Sequence, residues 1–241
     1  MTDRLALFPL STVLFPGVVL PLHLFEERYR TLLSDLLDGP EPRRFGVVAL
    51  EAGRETAGAG EGGETGRGGP GGLVGAGPPA APLRLAEVGC VAELHEVVPL
   101  PDGRYDVVTV GGRRFRLKEL DRSRPYLSGE VEFLPEEPGT VGDDLLRRVR
   151  RLFHLYRHRL TAAGVDADDP AELPGDPVAL SYLVAAATVL DPADKQRLLA
   201  AEDAANRLRA ERDLLLRETR LLDALPTIPA GQFLDVSYHP N

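Results

Sequence analysis

His154 and His158, four positions apart, are the first residues whose types and spacing could support chemistry. On a helix this spacing places two imidazoles on one face, where they can bind zinc. A zinc peptidase of the H-E-x-x-H type needs a glutamate directly after the first histidine, but Leu155 stands there. Several arginines share this segment and would repel a cation. We therefore interpret the pair as part of a solvated helix face and predict no metal site.

A dinucleotide site and a catalytic thiol are also weakly supported. Gly58, Gly60 and Gly63 satisfy G-x-G-x-x-G, but such a loop must open a helix whose amides meet the pyrophosphate. No helical pattern follows here, and glycine-rich sequence produces this match by chance. The single cysteine, Cys90, has apolar neighbours, which indicates a buried and inert thiol. We predict no cofactor and no catalytic residue.

Two groups of residues could form binding surfaces instead. One is a set of bulky apolar residues near predicted turns, which could line a groove for an extended polypeptide: Phe8, Phe15, Leu24 and Phe25. The alternative is that all four belong to the core. The other is a basic helix face that could bind an anionic partner, including RNA: Arg147, Arg150, Arg151, His154 and His158. The alternative there is a solubilising surface.

Short strands and one helix are predicted for the first 50 residues. The apolar runs 5–10, 13–15 and 18–20 favour strands, and a turn is expected at Pro16-Gly17. Apolar residues from Phe25 to Leu37 recur at helical spacing, and Gly39 with Pro40 should end that helix. The run 45–50 predicts a buried strand.

The middle of the chain changes composition twice. Residues 51–82 are rich in glycine, alanine, glutamate and proline, which predicts a disordered insertion because little apolar surface can be buried. Residues 83–135 contain several short strand patterns with regular turn signals, including 101–103 and the pair Gly111-Gly112. Many short strands separated by turns favour a small barrel.

Residues 141–225 show helical periodicity. Asp143 or Asp144 can cap a first helix, and Asp176-Pro177 and Asp191-Pro192 are typical helix starts. The tail 226–241 is predicted to be poorly ordered. The resulting prediction is an α+β protein with a β-barrel domain at 1–135 and a helical bundle domain at 141–225.

Composition indicates which partners and which cellular compartment to expect. The 241 residues carry a net charge of −9, so a general attraction to nucleic acid is not expected. A single cysteine excludes a disulfide framework and favours a reducing compartment. The N-terminus lacks a signal-peptide pattern and no apolar run reaches membrane-spanning length, so we expect a cytoplasmic protein without membrane contact.

The order of several motifs resembles the substrate-binding domain at the N-terminus of Lon proteases. The opening carries the resemblance through Leu7-Phe-Pro-Leu, Leu14-Phe-Pro-Gly and Leu20-Pro-Leu-His-Leu-Phe-Glu-Glu-Arg-Tyr-Arg. It continues with Phe45-Gly-Val-Val, Val88-Gly-Cys-Val-Ala-Glu, the run 103–116 and Pro125-Tyr-Leu. The helical half adds Asp191-Pro-Ala-Asp-Lys-Gln-Arg-Leu-Leu.

This resemblance implies a PUA-like β-barrel followed by a helical bundle, in a stand-alone bacterial member of the family. No Gly-Lys pair of a phosphate-binding loop occurs in the 241 residues, and we expect no Ser-Lys peptidase domain. The implied function is non-catalytic recognition of unfolded or exposed polypeptides, as an adaptor or chaperone-like protein working with a protease or chaperone. The alternative is a module that binds RNA or a small ligand through the barrel and the basic helix face.

Overall fold

The computed structural model describes residues 3–52, 84–165 and 172–224. The predicted insertion at 51–82 lies outside these residues except for its first two positions, and the predicted tail 226–241 lies outside them entirely. The chain forms two compact units. The first unit comprises Met1–Glu136 and Ala185–Ala201, and the second comprises Glu137–Val184 and Glu202–Asn241.

Strands occupy the first unit and long helices the second. The strands are β1 (Asp3–Leu10), β2 (Val19–Leu24), β3 (Arg44–Ala52), β4 (Arg84–Leu85), β5 (Val88–Pro99), β6 (Tyr105–Asp121) and β7 (Ser128–Phe133). The helices are α1 (Glu27–Asp38), α2 (Asp143–Ala162), α3 (Pro177–Ala187), α4 (Pro192–Leu199) and α5 (Ala204–Ala224).

Five strands close into a barrel. β1 pairs with β7, β7 with β6, β6 with β5 and β5 with β3, all antiparallel, and a parallel pairing of β3 with β1 completes the ring. Phe115 is fully buried, and a Cβ at Gly46 or Gly89 would stand 2.7 or 2.5 Å from the tip of its ring. Only glycine therefore fits at these two strand positions.

One predicted break in a strand is wrong. Gly111-Gly112 was expected to separate two strands, but β6 runs through both residues without interruption. The reason is close packing, because a Cβ at Gly111 would lie 2.1 Å from the carbonyl oxygen of Phe15. The run 13–15, predicted as a strand, is a buried loop segment, and the expected turn at Pro16-Gly17 follows it with Gly17 at φ 77°.

Helix α1 packs on the core of the first unit. Its buried residues Tyr29, Leu32 and Leu33 belong to the same apolar cluster as Phe8, and the rings of Phe8 and Tyr29 stack with centroids 3.9 Å apart. The Tyr126 hydroxyl donates a hydrogen bond of 2.5 Å to Asp35 Oδ2 on this helix. These contacts hold α1 against one face of the strands.

The segment Ala185–Ala201 returns to the barrel, whereas the sequence prediction assigned it to the helical domain. Arg114 of β6 is buried and donates to the carbonyl oxygens of Leu199 at 2.8 Å and Ala201 at 2.6 Å. The side-chain amide of Gln196 donates to the carbonyl of Val88 at 2.8 Å. Polar anchors of this kind leave no apolar periodicity in the sequence.

The second unit contains α2 packed against α5, together with most of α3. Arg207 of α5 is buried, donates to Ser181 Oγ at 2.8 Å and to the Tyr182 hydroxyl at 3.0 Å, and lies over the Tyr182 ring. Glu211, one turn further along α5, is buried as well, and neither carboxyl oxygen has a hydrogen-bond partner in the described residues. Burial raises the pKa of Glu211 well above its usual range.

Candidate polypeptide-binding surface

Part of the sheet extends beyond the barrel as three strands. The first half of β6 pairs with β2 on one side and with the second half of β5 on the other. One face of this three-stranded sheet carries Leu20, Leu22 and Leu94, which pack into the core that α1 covers. Because side chains alternate along a strand, the intervening residues form the opposite, outer face.

The outer face consists of three cross-strand rows. Each row runs from β2 through β6 to β5. The first row is Val19, Val110 and Glu93, and the second is Pro21, Val108 and Glu96. The third row is His23, Asp106 and Val98. Phe25 follows at the next alternate position after β2, with its ring centroid 6.2 Å from that of His23. The apolar members of this face, which we name the outer patch, are Val19, Pro21, Phe25, Val98, Val108 and Val110.

The outer patch is exposed. Val19 and Phe25 each expose 59% of their surface and Val98 exposes 42%. Pro21 is also exposed, and Val108 is half-buried. An antiparallel sheet with one covered face normally presents polar side chains on the other. A largely apolar open face is therefore typical of an interaction surface.

Acidic side chains border the outer patch. The His23 ring nitrogen Nδ1 lies 2.6 Å from Asp106 Oδ1, in the row between Pro21 and Phe25. At the Val19 end of the patch the Glu93 carboxylate covers Gly112, where an added Cβ would stand 2.8 Å from Glu93 Oε1. Glu96 is exposed between them. The face thus combines an apolar centre with a negative margin along β5.

The open edge of β2 is a poor template for another strand. The Gly111 N–H donates to the Val18 carbonyl oxygen at 2.8 Å. Because backbone groups along a strand point alternately to its two sides, Val19, Pro21 and His23 turn theirs away from β6. Pro21 has no N–H to offer at the middle of that edge. Side chains of the outer patch, rather than backbone hydrogen bonds, are therefore the main contacts that this surface can provide.

The four apolar residues singled out in the sequence have different fates. Phe8, Phe15 and Leu24 are buried, because each contributes to the barrel core or to its covering loop, so they are not accessible to a ligand in this structure. Phe25 is exposed and belongs to the outer patch. Val19, Val98 and Val108 were not predicted as site residues. Alternation along β2 and β6 gives a signal for Val19 and Val108, but it does not say which face α1 covers, and Val98 lies beyond an irregularity in β5.

The basic residues of α2 are only partly available. Arg151, His154 and His158 are exposed, as expected for a helix face opposite an apolar stripe. Arg147, however, forms an ion pair with Asp144, and Arg150 donates to the carbonyls of Leu173 and Pro174. Arg148 also contributes to the lowered pKa of Asp213, for which hydrogen bonding to Arg212 is the main cause. Nearby carboxylates therefore offset much of the positive charge.

The residues considered for catalysis or metal binding are Cys90, the histidine pair of α2 and three glycines of the run 58–63. Burial raises the pKa of the Cys90 thiol, which disfavours the reactive thiolate. No cluster of three or more potential metal ligands occurs among residues 3–52, 84–165 and 172–224. Within the same ranges, no helix has both the length and the apolar character needed to cross a membrane. Gly58, Gly60 and Gly63 lie outside the described residues.

Comparison with known proteins identifies the family. The model of the ATP-dependent protease La (LON) substrate-binding domain matches residues 4–217. The chain belongs to this family. Curated relatives of the LON domain include a Lon protease from Methylocella silvestris, 29% identical over 222 residues, and Lon protease 2 from Syntrophobacter fumaroxidans, 25% identical over 202 residues. These matches cover 89% and 83% of this chain but 24% and 22% of the relatives, so the chain spans about a quarter of their length.

Solved LON-domain structures share the fold. The N-terminal domain of the Mycobacterium avium complex Lon protease superposes with a TM-score of 0.57 at 19% identity, covering 92% of this chain and 100% of that one. A Lon N-terminal domain protein from Xanthomonas campestris gives 0.55 at 22% identity, with 93% and 99% covered. The predicted α+β class and the predicted family resemblance are confirmed. Membership of the LON family supports a substrate-binding role.

Proposed function

We propose that this chain binds unfolded or exposed polypeptide segments at the outer patch and catalyses no reaction on them. The observation that carries the proposal is the open apolar sheet face on which Val19 and Phe25 are each 59% exposed. Folded proteins bury most of their bulky apolar residues, whereas unfolded segments present them, so such a face discriminates between the two. The proposed setting is the cytoplasm, where Cys90 stays reduced.

The expected affinity is modest. Covering an apolar side chain the size of valine or phenylalanine stabilises a complex by about 1.5–3 kcal/mol. Only a few such side chains are available, and association with ordering of an extended segment costs at least ~4 kcal/mol. The dissociation constant should therefore be micromolar at best and otherwise weaker. Reversible binding of this strength suits an adaptor or chaperone-like protein that passes its clients to a protease or a chaperone.

The test measures binding of a chemically unfolded model protein by the full chain. Fluorescence anisotropy gives the dissociation constant, and light scattering shows whether aggregation of the unfolded protein is suppressed. The variant V19T/F25S/V98T replaces apolar groups on the outer patch and keeps β-branched residues within the strands. Losing these apolar contacts should weaken binding at least about tenfold. The secondary structure and the unfolding midpoint should change little, because all three side chains are exposed.

A matched control removes similar exposed apolar surface elsewhere. Leu155, Val165 and Val189 are 41%, 45% and 63% exposed, and none of them lies on the outer patch. The variant L155S/V165T/V189T should bind the unfolded protein like the wild type. Equal losses in the two triple variants, or no binding by the folded wild-type chain, would contradict the proposal.

A second function is supported by the exposed basic part of α2. Arg147, Arg148 and Arg151 line a shallow depression of about 480 Å³, and His154 and His158 are exposed further along the helix. This surface could bind a single-stranded RNA through phosphate contacts. Binding should then weaken steeply as salt rises and should be lost in R151E/H158E. The ion pair of Arg147 with Asp144 reduces the positive charge that this surface offers to a phosphate.

A further inference from the structure

The carboxylates beside the outer patch have little local compensation. In the described residues Glu93 and Glu96 form no ion pair within 4.0 Å, although both lie on the open face. Asp106 is paired with His23 at 2.6 Å. Directly opposite residues on neighbouring strands have Cβ atoms about 5 Å apart. Each of the two glutamates is thus next to a valine of the patch, Val110 or Val108.

Several neighbouring cations are directed elsewhere. Arg44 of β3 pairs in register with Glu93, but its guanidinium lies over the ring of Phe133 and 3.9 Å from Asp3. Arg113 also lies over Phe133. Two further pairs are internal to their own segments: Arg104 with Asp102 in the hairpin turn and Arg28 with Glu26 beside Phe25.

We propose that the outer patch selects extended segments in which apolar side chains alternate with lysine or arginine, an inference that rests on the proposed polypeptide binding. The apolar side chains of such a segment cover Val19, Phe25 and Val98. The methylene stem of a lysine can cover the patch while its ammonium reaches the carboxylates at the margin. A glutamate in the same place would meet like charge and lose binding.

The size of the effect follows from simple electrostatics. Two unit charges about 7 Å apart in water interact by an amount equivalent to a two- to threefold change in binding constant. The two glutamates together should therefore favour a cationic over a neutral segment by about fivefold at low ionic strength. Screening shortens the Debye length from about 30 Å at 0.01 M to about 3 Å at 1 M salt, so the preference should disappear at high salt.

The experiment uses the full chain and three labelled peptides with identical valine and phenylalanine positions. The positions between them are lysine in the first peptide, glutamine in the second and glutamate in the third. Fluorescence anisotropy at low and at high salt should show that the lysine peptide binds best and the glutamate peptide worst, with the difference lost at high salt. The variant E93Q/E96Q should bind the three peptides nearly equally.

The control variant E119Q/E130Q removes the same charge from a different place. Glu119 and Glu130 are exposed and pair with each other across β6 and β7, away from the outer patch. This variant should keep the wild-type preference. Equal binding of all three peptides by the wild type, or equal effects of the two double variants, would overturn the charge selection but leave the proposed polypeptide binding standing. If no peptide and no unfolded protein binds, both proposals fail together.

Discussion

Replacing Arg114 with methionine should detach the returning segment Ala185–Ala201 from the barrel. The guanidinium is buried and donates to the carbonyls of Leu199, Ala201 and Pro135 and to the Glu136 carboxylate at 2.6–3.1 Å. Methionine fills a similar volume but supplies no donor. Three carbonyl oxygens then lose a charged donor, and burial hinders water from replacing it.

The expected loss in the free energy of unfolding can be bounded. A hydrogen bond to a charged group contributes about 1.5–3 kcal/mol, and such contributions do not simply add within one network. Removing one partner of a buried ion pair costs about 3–5 kcal/mol. The Glu136 side chain is 28% exposed and can be hydrated, so it adds little to the loss. We expect R114M to lower the free energy of unfolding of the first unit by about 3–5 kcal/mol.

Hydrogen exchange followed by mass spectrometry reports on the segment directly. If R114M weakens docking by about 3 kcal/mol, amides of α4 should exchange about a hundredfold faster, because each 1.4 kcal/mol is a factor of ten. Urea unfolding followed by circular dichroism measures the overall loss. Arg116, exposed two positions further along β6, provides the matched control R116M. Similar exchange in R114M, R116M and the wild type would refute the assignment of Arg114 as the anchor.

Two further predictions concern buried positions. G111A should lower the free energy of unfolding by about 1–3 kcal/mol, because the added Cβ meets the carbonyl oxygen of Phe15. Gly175 has open space around it, so the control G175A should change the free energy of unfolding by less than about 1 kcal/mol. Urea unfolding measures both. E211Q should remove a pH dependence of the free energy of unfolding. Burial raises the pKa of Glu211, so the wild-type stability is fully present below the ordinary carboxyl pKa. It then falls by about 1.4 kcal/mol per pH unit as the pH rises toward the raised pKa. Urea unfolding at several pH values should show that slope in the wild type and not in E211Q; equal slopes would contradict the assignment.

Much of the fold could be predicted from local sequence. The helix starts at Pro177 and Pro192 follow the predicted cap signals, and the Asp191 side chain accepts a hydrogen bond from Asp194 N at 2.8 Å. These features depend on neighbours in the chain, so their signals are local. Most of the predicted basic face of α2 is also exposed, as helical periodicity indicates, although Arg150 is half-buried. The predicted cap at Asp143 or Asp144 is wrong, because Gly142 is the N-cap of α2 and no side chain caps it.

The candidate site was less accessible to sequence reasoning. Glycine was interpreted as a turn signal at Gly111-Gly112, but there it permits the close approach of Phe15. Phe8, Phe15 and Phe25 look equivalent in the sequence, yet only Phe25 is exposed, since burial depends on where α1 packs. The border of Glu93 and Glu96 exists only because β5, far along the chain, pairs with β6 in this register. Long-range pairing leaves no local pattern from which to predict it.

An open apolar sheet with an unprotected edge would also bind other copies of this chain, so a surface that captures unfolded segments needs protection from itself. Pro21 removes a donor from the open edge of β2, which hinders edge-to-edge pairing. The acidic margin of Glu93 and Glu96 would face an identical margin in a second copy, and like charges oppose that approach. The net charge of −9 adds a weaker repulsion at longer range. We infer that the same carboxylates that favour cationic clients keep the outer patch available to them.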